Sequence, residues 1–124
     1  MATLSTAKFF TAAKDISSTS GGASSDVIYT CPSNFIALVR FLHVSNGGSN
    51  NKKYSIQWYE SDTTTYHYIV DDHSLSSNSL EDVVHGGSYI ALKAGDKIVA
   101  SKESGGDFHI ILSGEEHFQP TQIA

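Results

Sequence analysis

Tyr54-Ser55-Ile56-Gln57-Trp58-Tyr59, followed by Glu60-Ser61-Asp62-Thr63 and then Thr64-Thr65-Tyr66-His67-Tyr68-Ile69-Val70, decides the fold of this chain. Tyr54, Ile56 and Trp58 alternate with Ser55, Gln57 and Tyr59, the period of two that puts successive side chains on opposite faces of a half-buried strand. The four polar residues after Tyr59 are a turn, and Thr65, His67 and Ile69 then alternate with Tyr66, Tyr68 and Val70. Two alternating runs joined by a short polar turn predict an antiparallel hairpin.

The same pattern repeats on both sides of the hairpin. Val27 to Cys31 reads as a strand closed by Pro32-Ser33-Asn34, because proline lacks the amide a ladder needs and asparagine tolerates turn dihedrals. Phe35 to Ser45 is long and rich in Val, Leu, Ile and Phe, and Asn46-Gly47-Gly48-Ser49-Asn50-Asn51 turns the chain toward Tyr54. On the other side, Asp71 to Asn78 reads as a polar loop. Leu80 to Val84, Ser88 to Leu92, Lys97 to Ser101 and the alternating Phe108, Ile110 and Leu112 complete the series, separated by Ala94-Gly95-Asp96 and Ser104-Gly105-Gly106-Asp107. Short strands at a spacing of roughly 8–12 residues predict an all-β, antiparallel two-sheet β-sandwich, jelly-roll-like, of about eight strands.

The N-terminal part reads differently. Leu4, Phe9, Phe10, Ala12 and Ala13 fit neither a clean helix nor a clean strand, and Ser17 to Ser25 is a Ser/Thr/Gly stretch with little apolar surface to order it. Residues 1–25 are therefore expected to be an extended arm and flexible connector, residues 26–118 the sandwich, and residues 119–124 a C-terminal tail.

Composition limits the function. The 124 residues fit one domain, and the charge of −5, from 13 acidic and 8 basic residues, comes with no Lys/Arg run to follow a phosphate backbone. Nucleic acid is not an expected partner. No apolar stretch reaches the roughly 20 residues that span a bilayer, and no signal-peptide pattern opens the sequence, so neither membrane insertion nor export is expected. The single cysteine, Cys31, has no partner in the chain and is expected to be a buried small hydrophobe.

The sequence carries few of the patterns that chemistry requires. The six histidines form neither a His-x-His nor a His-Glu-x-x-His pattern. Asp71, Asp72 and His73 are the densest local group, but consecutive residues rarely face one ion together. No Gly-x-Ser-x-Gly elbow accompanies a Ser or Cys, the glycine-rich turns lack the Lys-Ser/Thr of a P-loop, and Glu115-Glu116 reads as solvated surface. No enzyme activity, metal or cofactor is expected. Trp58, Tyr59, Tyr66 and Tyr68 remain as the aromatic group of the hairpin. Trp58 and Tyr59 point to opposite faces and Tyr66 and Tyr68 share one, so they serve either as core and half-exposed packing or as a platform for a protein partner or a sugar.

Read in order, Tyr29-Thr30-Cys31-Pro32, the strand Ile36-Ala37-Leu38-Val39-Arg40 with His43-Val44-Ser45-Asn46, and Leu92-Lys93-Ala94-Gly95-Asp96-Lys97-Ile98 resemble the small β-sandwich virion proteins of tailed bacteriophages. The likeness spans roughly residues 26–114; a departure is the turn after Pro32, Ser33-Asn34-Phe35 here against an Ala-Gly-Lys-like turn in that group. The resemblance implies a capsid decoration or cement protein in the virion, made in the host cytoplasm. Alternatives are a neck, tail or fibre-associated protein, or a carbohydrate- or receptor-binding module. The expected partners are other virion proteins, namely the major capsid protein or tail and neck proteins, together with further copies of the chain, and a host glycan is a further candidate. Phe9 and Phe10 on the arm and Trp58, Tyr59, Tyr66 and Tyr68 on the hairpin are the expected contact residues.

Overall fold

The alternation that predicts strands in the sequence is laid out in full by a computed structural model, which describes residues 7–119. Nine strands follow one another: β1 (Ala7–Asp15), β2 (Asp26–Thr30), β3 (Phe35–Asn46), β4 (Lys52–Glu60), β5 (Thr65–Leu75), β6 (Ser79–Val84), β7 (Ile90–Leu92), β8 (Lys97–Lys102) and β9 (Phe108–Phe118). They form two antiparallel sheets. One has the order β1-β9-β3-β6, with β7 also on β3; the other has the order β2-β8-β4-β5. The chain is an all-β sandwich.

The core is what the period-two pattern requires. From the five-stranded sheet, Ala37, Val39, Leu42, Val44, Leu92, Ile110 and Leu112 turn inward; Ile28, Tyr54, Ile56, Ile98 and Ala100 meet them from the other sheet. β6 pairs the second half of β3, from Leu42 to Asn46, and β7 the first, from Ala37 to Val39, so two short strands share one edge.

Three of the sequence expectations change. The first is the arm. Ala7–Asp15 is not free but pairs antiparallel with β9 along nine residues, from Ala7 opposite His117 to Asp15 opposite His109. Ile16 is buried and donates its N–H to the Phe108 carbonyl at 2.9 Å. The segment after it is fastened through polar groups: Asp26 Oδ2 accepts the N–H groups of Ser17 (2.6 Å) and Ser18 (3.2 Å), the Ser18 carbonyl accepts the Lys102 N–H, and Gln57 Oε1 accepts the Gly22 N–H. Low apolar content misled the expectation because hydrogen bonds, rather than buried area, hold this stretch. The boundary at residue 25 therefore does not separate an arm from the domain; residues 1–6, and the tail beyond Gln119, lie outside the described residues.

The second is the loop expected from Asp71 to Asn78. β5 continues to Leu75, with irregular register against β4 near Tyr54 and Ile56, and the turn is confined to the residues around Asn78, which has φ of 54°. The third is Glu115-Glu116. Glu115 faces outward, whereas Glu116 is buried, accepting the Tyr29 hydroxyl and facing Lys8 Nζ at 3.5 Å.

Two local features fix the sheets. Asn34 takes φ of 68°, the turn conformation that asparagine adopts readily, so the Pro32-Ser33-Asn34 break closes without glycine. Gly114 lies against the bulge of β3 between Val39 and Phe41, where a Cβ would come within 1.8 Å of the Leu38 carbonyl oxygen. Only glycine fits there.

Candidate interaction surfaces

The register of the five-stranded sheet sorts every side chain of β1, β9 and β3. Phe9, Glu115 and Leu38 share one outward row; Thr11, Ser113 and Phe41 the next; Ala13, Ile111 and His43 the next; Ala7, His117 and Ile36 the row on the other side. The outer face thus carries Phe9 and Ala13 on β1 and Ile36, Leu38 and Phe41 on β3, on either side of a β9 whose outward residues are His117, Glu115, Ser113, Ile111 and His109. Phe9 is 87% exposed and Ile111 39%. Leu80 on β6 and Tyr89 before β7 add further exposed apolar surface.

Polar side chains are interleaved with these residues in pairs. Arg40, on the bulge of β3, donates from Nε to Glu115 Oε2 at 2.8 Å, and its guanidinium lies 5.4 Å from the Tyr89 ring centroid. The same carboxylate is hydrogen-bonded to the His117 ring at 2.8 Å, and His117 and Arg40 together hold it below the ordinary carboxylate range. His43 pairs with Asp82 at 2.8 Å while stacking on Phe41, and His109 meets Asp15 and Asp107. The face therefore interleaves exposed apolar side chains with charges already paired within the chain, a mixture that can offer a partner both apolar contact and directional polar contact.

The second surface is the outer face of the four-stranded sheet. Tyr59 stands opposite Tyr66 and Gln57 opposite Tyr68, so these four share the outward side, as the alternation predicts. Tyr59 and Tyr66 lean on one another at 4.7 Å between centroids, with Lys97 Nζ 5.2 Å from the Tyr59 ring, and both are half-buried. Tyr68 stays 56% exposed.

The remaining aromatic candidates are internal. Phe10 faces inward and stacks on Tyr29 at 4.2 Å. Trp58 packs on the core and on His67, and its indole N–H donates to Asp96. Of the six expected contact residues, Phe9 lies on one sheet's outer face, Tyr59, Tyr66 and Tyr68 on the other's, and Phe10 and Trp58 on neither.

Cys31 is buried, and burial together with the nearby Glu116 and Asp96 charges pushes its thiol up to about 11, despite a backbone hydrogen bond from Ala37 that lowers it. At neutral pH it is a thiol, a poor nucleophile. Among the described residues, no three His, Cys, Asp or Glu side chains converge as a metal site.

What sequence reading missed is the apolar outer face. Its signal was present: Phe9-Phe10 and Ala12-Ala13 are apolar at adjacent positions, as a strand carrying apolar groups on both faces must be.

No family model matches this chain, and no curated protein matches it. Among solved structures, the chain is similar to the globular domain of zebrafish complement 1qA protein, at 14% identity and a TM-score of 0.46, over 93% of this chain and 98% of that one.

Proposed function

We propose that this chain is a non-enzymatic structural protein of a tailed-bacteriophage virion, a capsid decoration or cement protein that works by binding copies of itself and the shell beneath. The observation that supports the reading is the apolar outer face of the five-stranded sheet. Phe9, Leu80, Tyr89 and Ile111 all remain exposed on this sheet, and exposed large apolar side chains gathered on one sheet are a feature of surfaces that meet partners. Phe9 is 87% exposed and Ile111 39%, and the Arg40–Glu115–His117 group between them and β3 provides directional contacts that can select one partner orientation.

The virion assignment comes from the sequence resemblance, whose pieces have physical work in the fold. The Cys31 N–H donates to the Asp96 carbonyl and the Gly95 N–H to the Cys31 carbonyl, so Tyr-Thr-Cys-Pro and Ala-Gly-Asp are two sides of one contact. Asn46, closing Val-Ser-Asn, is buried and binds the carbonyls of Asn50 and Leu75 while accepting the Gly48 N–H.

The test is stoichiometry on the particle. Purified protein is mixed with phage capsids that lack it, and the bound copies are counted by quantitative mass spectrometry. Hundreds of copies per particle support decoration. Three, five, six or twelve copies replace it with a vertex, neck or tail role, and no binding removes the virion reading.

A further inference from the structure

A cleft of about 580 Å³ opens on the outer side of the four-stranded sheet, remote from the apolar face. Tyr68 lies on one wall, Thr19 and Gly21 of the segment joining β1 to β2 on another, and the start of β4, the end of β8 and the residue after it contribute Lys53, Ser101, Lys102 and Glu103. The register irregularity of β5 supplies what a regular strand would not. Asp72 adopts φ of 50° with its N–H held by Ser55 Oγ at 2.8 Å, and both Asp71 and Asp72 line the cleft instead of pointing to opposite faces.

The polar groups differ in how far they are engaged. Lys102 donates from Nζ to the Gly106 carbonyl at 2.7 Å, and Glu103 accepts the Lys53 N–H at 3.0 Å. The carboxylates of Asp71 and Asp72 and the ammonium of Lys53 have no hydrogen-bonding or ionic partner among the described residues. The cleft therefore offers one exposed aromatic ring, two acceptor carboxylates and one donor ammonium, in a volume within the range of about 300–1,000 Å³ usual for small-ligand sites.

We propose that this cleft binds a neutral saccharide. A pyranose has an apolar face of C–H groups suited to the Tyr68 ring, and neighbouring hydroxyls that donate to carboxylates such as Asp71 and Asp72 and accept from Lys53. The two unpaired carboxylates disfavour sialylated, sulfated or phosphorylated ligands by like-charge repulsion. A bare metal ion is a poor alternative, because no three ligating side chains converge among the described residues. The segment from Thr19 to Gly21 is held at the cleft by the bonds of Asp26, Gln57, Lys102 and Ser18, which ties the site to the ordering of residues 17–25.

The experiment uses the full chain on an array of neutral hexose- and N-acetylhexosamine-terminated oligosaccharides beside sialylated and sulfated ones, with affinities of hits taken by titration in solution. The expected result is retention of one or more neutral glycans, with an affinity loss of about tenfold or more in Tyr68→Ala and in the Asp71→Asn/Asp72→Asn double variant. Both variants should melt with the parent and self-associate like it, since these residues lie away from the five-stranded sheet. Absence of neutral-glycan binding, a preference for acidic glycans, or undiminished binding by the variants overturns the proposal and leaves the assembly reading standing.

Discussion

Asp96 accepts the indole N–H of Trp58 at 3.1 Å, joining the turn before β8 to the strand whose alternation is the plainest in the sequence. The same carboxylate accepts the N–H groups of Ser61 (2.9 Å) and Lys93 (3.1 Å) and the Ser61 hydroxyl (2.9 Å), and the residue is fully buried. Burial alone would raise its pKa, but these bonds outweigh burial and hold the carboxyl below its ordinary value of 3.8.

A pH dependence follows with a definite sign. The folded-state pKa is depressed, so the stability contributed by Asp96 is complete above the unfolded value and is lost as pH falls through the folded one. Thermal melts between pH 6 and pH 2 should show stability falling steeply below about pH 4. Asp96→Asn should lower stability at pH 7 by about 2–4 kcal/mol, because the amide turns a donor toward donors, and should flatten the acid slope. An unchanged slope in the variant would assign the acid sensitivity to other groups.

Asp26 does similar work on a smaller scale. Its carboxyl is also held below the ordinary value: burial, the largest single influence, raises it, but the Ser17 and Ser18 N–H groups, the Ser17 hydroxyl and nearby Lys14 together outweigh burial and lower it. Asp26→Ala should leave the sandwich folded, with a loss on the order of 1 kcal/mol, while releasing the segment between β1 and β2. Amide exchange read by mass spectrometry should speed up across residues 17–25 and at Lys102, whose N–H is bonded to the Ser18 carbonyl, with β3 and β9 unaffected.

The regular strands were legible in the sequence because one face was buried and the other was polar, as from Tyr54 to Tyr59. Asp96 was recognisable as a turn residue by its place in Ala-Gly-Asp, but its four donors come from residues 58, 61 and 93, and such convergence has no local signal. β1 was illegible for the opposite reason. Phe10 and Ala12 pack inward while the equally apolar Phe9 and Ala13 face outward, which erases the alternation. The cleft beside Tyr68 depends on an irregular β5, and the run Asp71-Asp72-His73 looks the same in sequence whether it forms a loop or a bulged strand.

Gly114 tests the packing of β9 against β3. A methyl group there meets backbone rather than a movable side chain, so Gly114→Ala should cost about 3 kcal/mol or more, measurable by urea denaturation, or prevent folding altogether. Gly87, where an added methyl group would meet nothing within 4 Å among the described residues, is the control, and Gly87→Ala should be close to neutral.

Deletion of residues 1–25 separates a strand from an arm. It strips β1 from β9, removes buried Ile16 and the Phe10–Tyr29 stack, and leaves the β9 edge unpaired. The loss should be on the order of 3 kcal/mol or more, with lower soluble yield, since an exposed edge is a template for aggregation. A truncated chain melting with the parent would restore the arm.

Phe9 carries the most direct test of the assembly face. It is the most exposed large apolar side chain among the described residues, yet it stands in the same row as Glu115 and Leu38, beside the Arg40–Glu115–His117 group. Phe9→Glu should leave the melting temperature within about 2 °C of the parent, because little of that side chain is buried in the single chain. Across an interface the added carboxylate would be forced out of water and set near Glu115, so self-association measured by analytical ultracentrifugation should weaken about tenfold or more. Arg40→Ala, which removes the counter-charge of Glu115, should weaken it through the same group. If the parent chain sediments as a monomer at high concentration, or if Phe9→Glu associates as the parent does, then the outer face of β1, β9 and β3 is not where copies meet.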